Sequence, residues 1–457
     1  MKTITLAAIV LAVGLVTSAP AQTEEVAITV YNSDLALVKD VRTVRLEEGV
    51  QELKFKDVAE RIDPTSVHFK VLDGPEAEVW EQNYRFDLAS TSKILSKYLE
   101  REIDVITEDA DLFSGTLVSF DGGGLVLDQG RGTGPIVSLN REKITHIRFP
   151  ALPGGLISKP TLVWKIGARN GGDRVVEVTY MTSSINWHAE YVGVIDAGDE
   201  SVDMSAWVSI DNRSGAEYKD AQLDLVAGDV HREQRAMEMM KAVGGRVDEA
   251  EYAPAPEFVE ESLFEYHLYK LDTPATIANQ EIKQLTFFPS TTVAVEKVFE
   301  FDGWRGGDVR VLLVFDNSKE AGLGLPLPAG KVRMYKKDSS GALQFIGEDR
   351  IDHTPRDEEV ELYMGNAFDV VAERTVVDRR KITDAVHEES YKVSVRNHKD
   401  EGIVVRVVDH PSRFWTVKDA SHKFEKVEAN RIEFEIPVGA DGEVVLTYTI
   451  VYERQRP

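Results

Sequence analysis

Apolar and polar residues alternate one by one along most of this chain, in short runs set apart by turn residues. That period belongs to an extended strand, whose successive side chains point to opposite faces, and excludes a helical bundle. Val26-Ala27-Ile28-Thr29-Val30-Tyr31 is a strand by this test. Asn32-Ser33-Asp34 turns the chain into a longer run from Leu35 to Leu46, and Glu47-Glu48-Gly49 turns it again into Val50 to Phe55. Val67 to Leu72 and Ala77 to Phe86 add two more. After a Pro/Gly-rich link over 150–160 the alternation resumes in Leu162 to Ile166, Val175 to Tyr180, Trp187 to Ile195, Val202 to Asn212 and Ala221 to Ala227. From Phe264 to the end, runs such as Val309 to Phe315 and Val444 to Tyr452 recur with turn signals about every 8 to 12 residues, the spacing of sandwiches. The expected fold class is mainly all-β, built of β-sandwich modules.

The period breaks twice. Over Ser90 to Arg101 the apolar residues Ile94, Leu95, Tyr98 and Leu99 form a helical stripe behind Ser/Thr caps. Five short runs follow: Ile103 to Thr107, Phe113 to Phe120, Leu125 to Asp128, Ile136 to Leu139 and Ile144 to Phe149. One short helix and five strands predict a small closed barrel inserted between sandwich strands. The second break, Arg232 to Ser262, carries Met237, Met239 and Met240, then Gly244-Gly245, then an acidic Pro-Ala stretch. It predicts a long excursion, part helical and part disordered, with strands restarting near Phe264. The resulting division is 22–91 for an N-terminal β domain, 92–150 for the small barrel, 151–300 for a central sandwich with the excursion 232–262, and 301–457 for a C-terminal sandwich. The strands before Ser90 leave one face without cover. They and the strands after Pro160 are therefore expected to share or abut one sandwich.

The first residues carry a different signal. Met1-Lys2 supplies a positive charge, Ile4 to Val16 a short apolar core, and Ala19-Pro20-Ala21 the small residues a signal peptidase reads. The expectation is a signal peptide over 1–21 cleaved between Ala21 and Gln22. The apolar run is shorter than the roughly 20 residues a membrane-spanning helix needs, and no second such run follows. The mature chain is thus expected to be exported and soluble, periplasmic or secreted, with no transmembrane segment. The chain has no cysteine, which removes disulfides, thiolate metal sites and cysteine nucleophiles. A net charge of −25 speaks against nucleic acid as a partner, since phosphates demand a basic surface.

Two resemblances rest on particular residues. Phe113-Ser114-Gly115-Thr116-Leu117-Val118-Ser119-Phe120-Asp121, ending in Leu125-Val126-Leu127, resembles the first motif of Sm-like proteins, and the helix followed by five strands matches their order. The resemblance implies an Sm-like or SH3-like small barrel. Where that family places a base-contacting Asn this chain has Leu125, and where it places an Arg-Gly pair this chain has Asn140 and Arg141. The barrel is accordingly expected to serve as a scaffold or interaction module without RNA, with Leu125 used in packing.

The second resemblance covers most of the mature chain. Residues 183–191 (Ser-Ser-Ile-Asn-Trp-His-Ala-Glu-Tyr), 225–230 (Leu-Val-Ala-Gly-Asp-Val), 326–335, 347–355 and 365–369 together resemble a family of bacterial exported domains of unknown function that includes the mucoidy inhibitor A-like proteins. That implies an envelope-associated β-sandwich protein and brings no catalytic residues with it.

No residue pattern specifies a reaction. The histidines lack ligand spacing, and no nucleophile elbow or P-loop is present. Asp349, Asp352, His353 and Asp357 lie close in sequence and are candidates for a metal site of oxygen ligands. Their spacing matches no loop with fixed ligand positions, and Arg350 and Arg356 lie among them, so no metal and no cofactor is expected. Trp187, Ala189 and Tyr191 share one face of a strand and are assigned to the core. His188 and Glu190 share the other, as ordinary neighbours or as a base with its orienting acid. The reading that follows is a non-enzymatic binding or scaffold protein of the cell envelope whose partner is a protein or polysaccharide. The alternative is a hydrolase acting on envelope polysaccharide through paired carboxylates drawn from distant positions.

Overall fold

The computed structural model describes residues 22–453 apart from 88, 89, 131, 152, 154, 155, 229–257 and 413. The expected signal peptide and Ala21 therefore lie outside the described residues. Gln22 opens the first strand, opposite Thr43. Nearly all of the regular structure in the described residues is strand, as the alternation demands, and the strands form five sheets.

The strands on either side of the small insertion share sheets. Leu35–Leu46 pairs antiparallel with Gly172–Thr182, Val38 opposite Tyr180. Thr161–Ala168 lies between Gly49–Lys56 and Ala77–Arg85 in a three-stranded sheet. Gln22–Tyr31 adds a parallel pairing to Tyr218–Ala227, with Ile28 opposite Leu223 and Val30 opposite Leu225. These strands belong to an eight-stranded sheet that also holds His68–Val71, Phe258–Leu263, Tyr266–Leu271 and Ala275–Ile277. A five-stranded sheet runs in the order Glu281–Ala294, Ser201–Asn212, Ile185–Ile195, Gly330–Lys337, Leu343–Ile351. One continuous apolar core joins all three sheets, through Trp164, Tyr180, Trp187, Tyr191 and Met334 among others.

That core contains an ion pair. The even positions of Leu35–Leu46 point inward, and they include Asp40 and Arg42, both buried. Arg42 donates from Nε and Nη2 to the Asp40 carboxylate at 2.8 and 2.5 Å, donates to the Lys56 carbonyl at 2.6 Å, and lies 4.1 Å from the Phe55 ring centroid. Burial, opposed by Arg42, pushes the Asp40 carboxyl above its ordinary range. A charge taken out of water persists only where its partners fill its hydrogen-bonding positions, as they do here.

A nine-stranded sheet closes over a second core of Phe301, Val393, Val405, Phe434, Leu446 and Ile450. Two of its strands, Asp308–Asp316 and Glu359–Lys381, also reach the first core. Val309 and Val311 pack in the second, Leu313 and Phe315 in the first. The ladder between them shifts register at 308/310 and 311/312, next to Gly365 at a φ of 134°. Extra residues on one strand bend a ladder, and this bend lets one strand pair serve both cores.

The insertion has a core of its own, with Leu95, Ile103, Val105, Leu117, Leu125, Leu127 and Leu139. The helix Thr91–Lys97 is capped by Ser90, whose hydroxyl accepts from the Lys93 N–H at 3.3 Å. The five antiparallel strands Glu102–Thr107, Leu112–Phe120, Gly124–Asp128, Ile136–Asn140 and Ile144–Arg148 form one sheet with the last two at opposite edges. The closed barrel expected from the sequence is thus corrected to an open sheet. Closure requires the edge strands to pair along their length. Here the two edge strands are consecutive in the chain, joined through the single 3₁₀ turn Arg141–Lys143, and each is committed to a different neighbour.

A second correction concerns the excursion. Residues 232–257 lie outside the described residues, but Phe258–Leu263 is a strand paired with Tyr266–Leu271. Its acids are not left to repel one another. Glu260 meets Arg356 at 2.7 Å and His267 at 3.0 Å, and Glu261 meets Lys270 at 2.5 Å.

Candidate functional site

The strand Ile185–Ile195 lies at the middle of the five-stranded sheet, and its two faces divide as its sequence requires. Trp187, Ala189 and Tyr191 are buried, with the Trp187 indole donating to the Val226 carbonyl at 3.1 Å and the Tyr191 hydroxyl to the Pro328 carbonyl at 2.7 Å. His188 and Glu190 point outward, Nε2 to Oε1 at 3.5 Å.

Cross-strand register builds the rest of the outer face. Ser209 is opposite both His188 and Gln284, Trp207 is opposite both Glu190 and Thr286, and Lys331 is beside Glu190 on the parallel strand. Residues facing each other across a ladder have neighbouring side chains. Glu190 is the hub. It accepts from Gln284 Nε2 at 3.1 Å and lies 3.7 Å from Arg333, which reaches Glu348 at 3.4 Å. Lys331 reaches Glu348 at 3.4 Å as well. Trp207 keeps 40 % of its surface exposed beside this network. A large aromatic ring held on the solvent side of a strand is available for contact with something outside the fold.

This face is polar and cross-linked by hydrogen bonds and ion pairs. Ser209, His188 and Glu190 are residue types that make a nucleophile, a base and its orienting acid. Their bonds do not form that chain: the Ser209 hydroxyl is engaged by Gln284 Nε2 at 3.0 Å, while the His188 ring turns to Glu190. Beside the exposed Trp207 indole lie the Gln284 amide, the Glu190 carboxylate and the Arg333 guanidinium, while Ser209 is buried beneath them.

The four metal candidates do not converge. Asp349 sits in the strand Leu343–Ile351 and its carboxylate accepts from the backbone N–H groups of Tyr363 at 2.7 Å and Arg350 at 2.8 Å. Asp352 is exposed. His353 Nδ1 accepts from the Ala329 N–H at 3.1 Å. Asp357 holds a turn at a φ of 62°, its N–H donating to the Asn317 carbonyl at 3.0 Å. Among the described residues, no group of three or more His, Cys, Asp or Glu is arranged to hold a metal ion.

A second polar cluster lies at the end of the nine-stranded sheet, where Glu296–Asp302 and Ile403–Asp409 run parallel and finish together. The buried Asp409 carboxylate accepts from Arg374 at 2.9 Å, Tyr448 Oη at 2.5 Å, Trp304 Nε1 at 2.8 Å and the His410 N–H at 2.8 Å. Burial, then the Asp409 charge, pushes the Tyr448 phenol well up. Asp302 holds the Trp304 N–H at 3.0 Å and faces His410 Nε2 at 3.3 Å. With its valences filled from within, this cluster fastens two loops to each other.

Sequence reasoning named His188 and Glu190 but missed Trp207, Ser209, Gln284 and Arg333, which come from three other strands. One signal was present. Val202, Met204, Ala206, Val208 and Ile210 fill the inward positions of Ser201–Asn212, so Trp207 falls on the polar side.

Fold and face together define an all-β protein of packed sheets with an exposed polar network on the outer face of its five-stranded sheet. The family whose sequence pattern matches residues 176–413 is DUF4139, a domain of unknown function, and the chain belongs to it. The matched span contains every segment that carries the resemblance to exported domains of unknown function, and it also contains the whole outer-face cluster from His188 to Glu348. A search of the curated proteins finds no match. Among the described residues no helix is long and apolar enough to cross a membrane.

Proposed function

We propose that this member of the DUF4139 family is an exported, envelope-associated binding protein, kin to the mucoidy inhibitor A-like proteins, and that it holds its macromolecular partner on the outer face of the five-stranded sheet. The observation that carries this reading is the Glu190-centred network beside the half-exposed Trp207. It presents hydrogen-bonding groups outward on a rigid sheet, without an activated nucleophile. The short helix and five strands over 92–150, with their separate core, serve in this reading as an Sm-like interaction module that does not take RNA.

The test is co-sedimentation of the purified mature chain with envelope fractions, alongside Trp207→Ala and Glu190→Gln. The wild type is expected to sediment and both variants to stay largely in solution while keeping their melting temperatures. Equal sedimentation of all three proteins overturns the assignment of the face. Mass spectrometry of the exported form is expected to read Gln22 as the first residue; retention of Lys2 removes the export part of the proposal.

A further inference from the structure

Resting on that reading of the face, we infer that its occupant is an uncharged polysaccharide strand. Two aromatic platforms stand on the surface. One is Trp207. The other is Tyr335 with Phe345, opposite each other in the ladder, ring centroids 5.8 Å apart and Phe345 57 % exposed. Tyr335 is level with Val194, four residues along the strand from Glu190, and Glu190 is level with Trp207. Two strand steps and four residues of rise place the platforms about 16 Å apart along a diagonal of the sheet. One small molecule cannot reach both, whereas several units of a polymer can. Between them lie Glu190, Arg333 and Glu348, with Gln284 and His188 beyond Trp207. The C–H face of a sugar ring covers an aromatic ring with gain from buried apolar area, while its hydroxyls both donate and accept and so suit carboxylate, amide and guanidinium groups alike.

Charge selects among polymers. The chain carries −25 overall, yet this face sets Lys331, Arg333 and Arg350 against Glu190 and Glu348 and is close to balanced. A polyanion is repelled by the whole molecule, and a polycation is drawn to the rest of the surface in preference to this face. An extended peptide adds to a sheet at an open ladder edge, whereas Trp207, Glu190 and Arg333 stand on the three inner strands, whose backbone bonds are used within the sheet.

The experiment is calorimetric titration of the mature chain with three uncharged hexasaccharides, hexa-N-acetylchitohexaose, cellohexaose and maltohexaose, and with hexagalacturonate as the charged counterpart. At least one uncharged hexasaccharide is expected to bind with little dependence on salt. Trp207→Ala and Phe345→Ala should each weaken it tenfold or more, and Gln284→Ala should weaken it by a smaller factor, with melting curves confirming that each variant is folded. Binding of hexagalacturonate alone, binding unaffected by the aromatic variants, or no binding of any uncharged hexasaccharide overturns the inference. If envelope sedimentation still depends on Trp207 in that last case, the face is a binding site for something else and only the polysaccharide assignment fails.

Discussion

Asn212 and Asn397 hold equivalent corners in the two cores. Each ends a strand, is buried, and donates from Nδ2 to the carbonyl four residues ahead, Ala216 at 2.9 Å and Glu401 at 2.8 Å. Each also donates to a carbonyl of a remote loop, Ala278 at 2.9 Å and Gly439 at 2.9 Å. Each accepts at Oδ1 from the backbone N–H two residues on, Ser214 at 3.1 Å and Lys399 at 3.0 Å. The side chain supplies donors for carbonyls that no ladder reaches. Asn317 repeats the donor half with Leu325 and Pro355.

Replacing Asn212 or Asn397 by Ala strands a buried N–H and two carbonyls, and should cost roughly 2–4 kcal/mol. Asp at either position keeps the shape but loses the N–H donors, and should cost at least as much. Denaturant unfolding of the four variants checks this. A loss under about 0.5 kcal/mol for the Ala variants would mean that water takes over the bonds.

The buried pair Arg42 and Asp40 should behave asymmetrically. Arg42→Met leaves an uncompensated carboxylate in the core and should cost roughly 3–5 kcal/mol, while Asp40→Leu combined with Arg42→Met should recover most of it. A double-mutant cycle in urea measures both. If the double variant is as unstable as the single, the pair holds the core by more than its own charge balance, for instance through the Lys56 carbonyl.

Much of the fold was legible because the strand period is a property of the backbone. Trp187 and Ala189 against His188 and Glu190 were assigned to the right faces from four letters. Pairing was not legible in the same way. Nothing local tells Gln22–Tyr31 to lie parallel beside Tyr218–Ala227, since that choice is made by burial across the whole core. The strand at Phe258 was missed because Glu260 finds its cation on Arg356, remote in the chain, and Glu261 on Lys270 across a hairpin that the local acidic pattern hides. Asp40 and Arg42 look like solvent residues in the sequence because each neutralises the other out of water. The site was half legible for a related reason. A sheet face gathers side chains from strands far apart in the chain: His188 and Glu190 share one strand, Trp207 and Ser209 a second, Lys331 and Arg333 a third, and Gln284 comes from a fourth.

Leu125 tests the small open sheet. It is 2 % exposed and packs with Leu117 and Leu127. Leu125→Asn puts an amide into that core and should cost roughly 2–4 kcal/mol from lost apolar burial and an unsatisfied polar group. Neither the wild type nor this variant is expected to retain oligouridine in a filter-binding assay at physiological salt. Salt-resistant, oligouridine-selective retention by the wild type would show that Leu125 and the acidic surface do not prevent RNA recognition.

The last prediction concerns Asp199, which ties the two cores together. It sits at a φ of 60° on the turn after Ile185–Ile195. Its carboxylate binds Lys297, on a strand of the nine-stranded sheet, at 2.5 Å, and Lys336, on the five-stranded sheet. Partial burial raises its pKa, but hydrogen bonds and charge from the two lysines outweigh this and hold the carboxyl below its ordinary value. A carboxyl depressed in the folded state binds fewer protons there than in the unfolded chain. Its contribution is therefore full above the unfolded pKa near 3.8 and is lost as pH falls through the lower folded value. Asp199→Asn is the clean substitution, because Asn tolerates the same left-handed backbone and removes only the charge. It should lower stability by roughly 1–2 kcal/mol at neutral pH, the range for charged hydrogen bonds reduced by partial exposure. The difference from wild type should shrink as the pH is lowered from about 5 to about 2, since the wild type then loses the same interaction. Urea midpoints across that range make the comparison. A difference that stays constant with pH means the lysines stabilise the turn by contact alone, and the electrostatic tie between the cores is wrong.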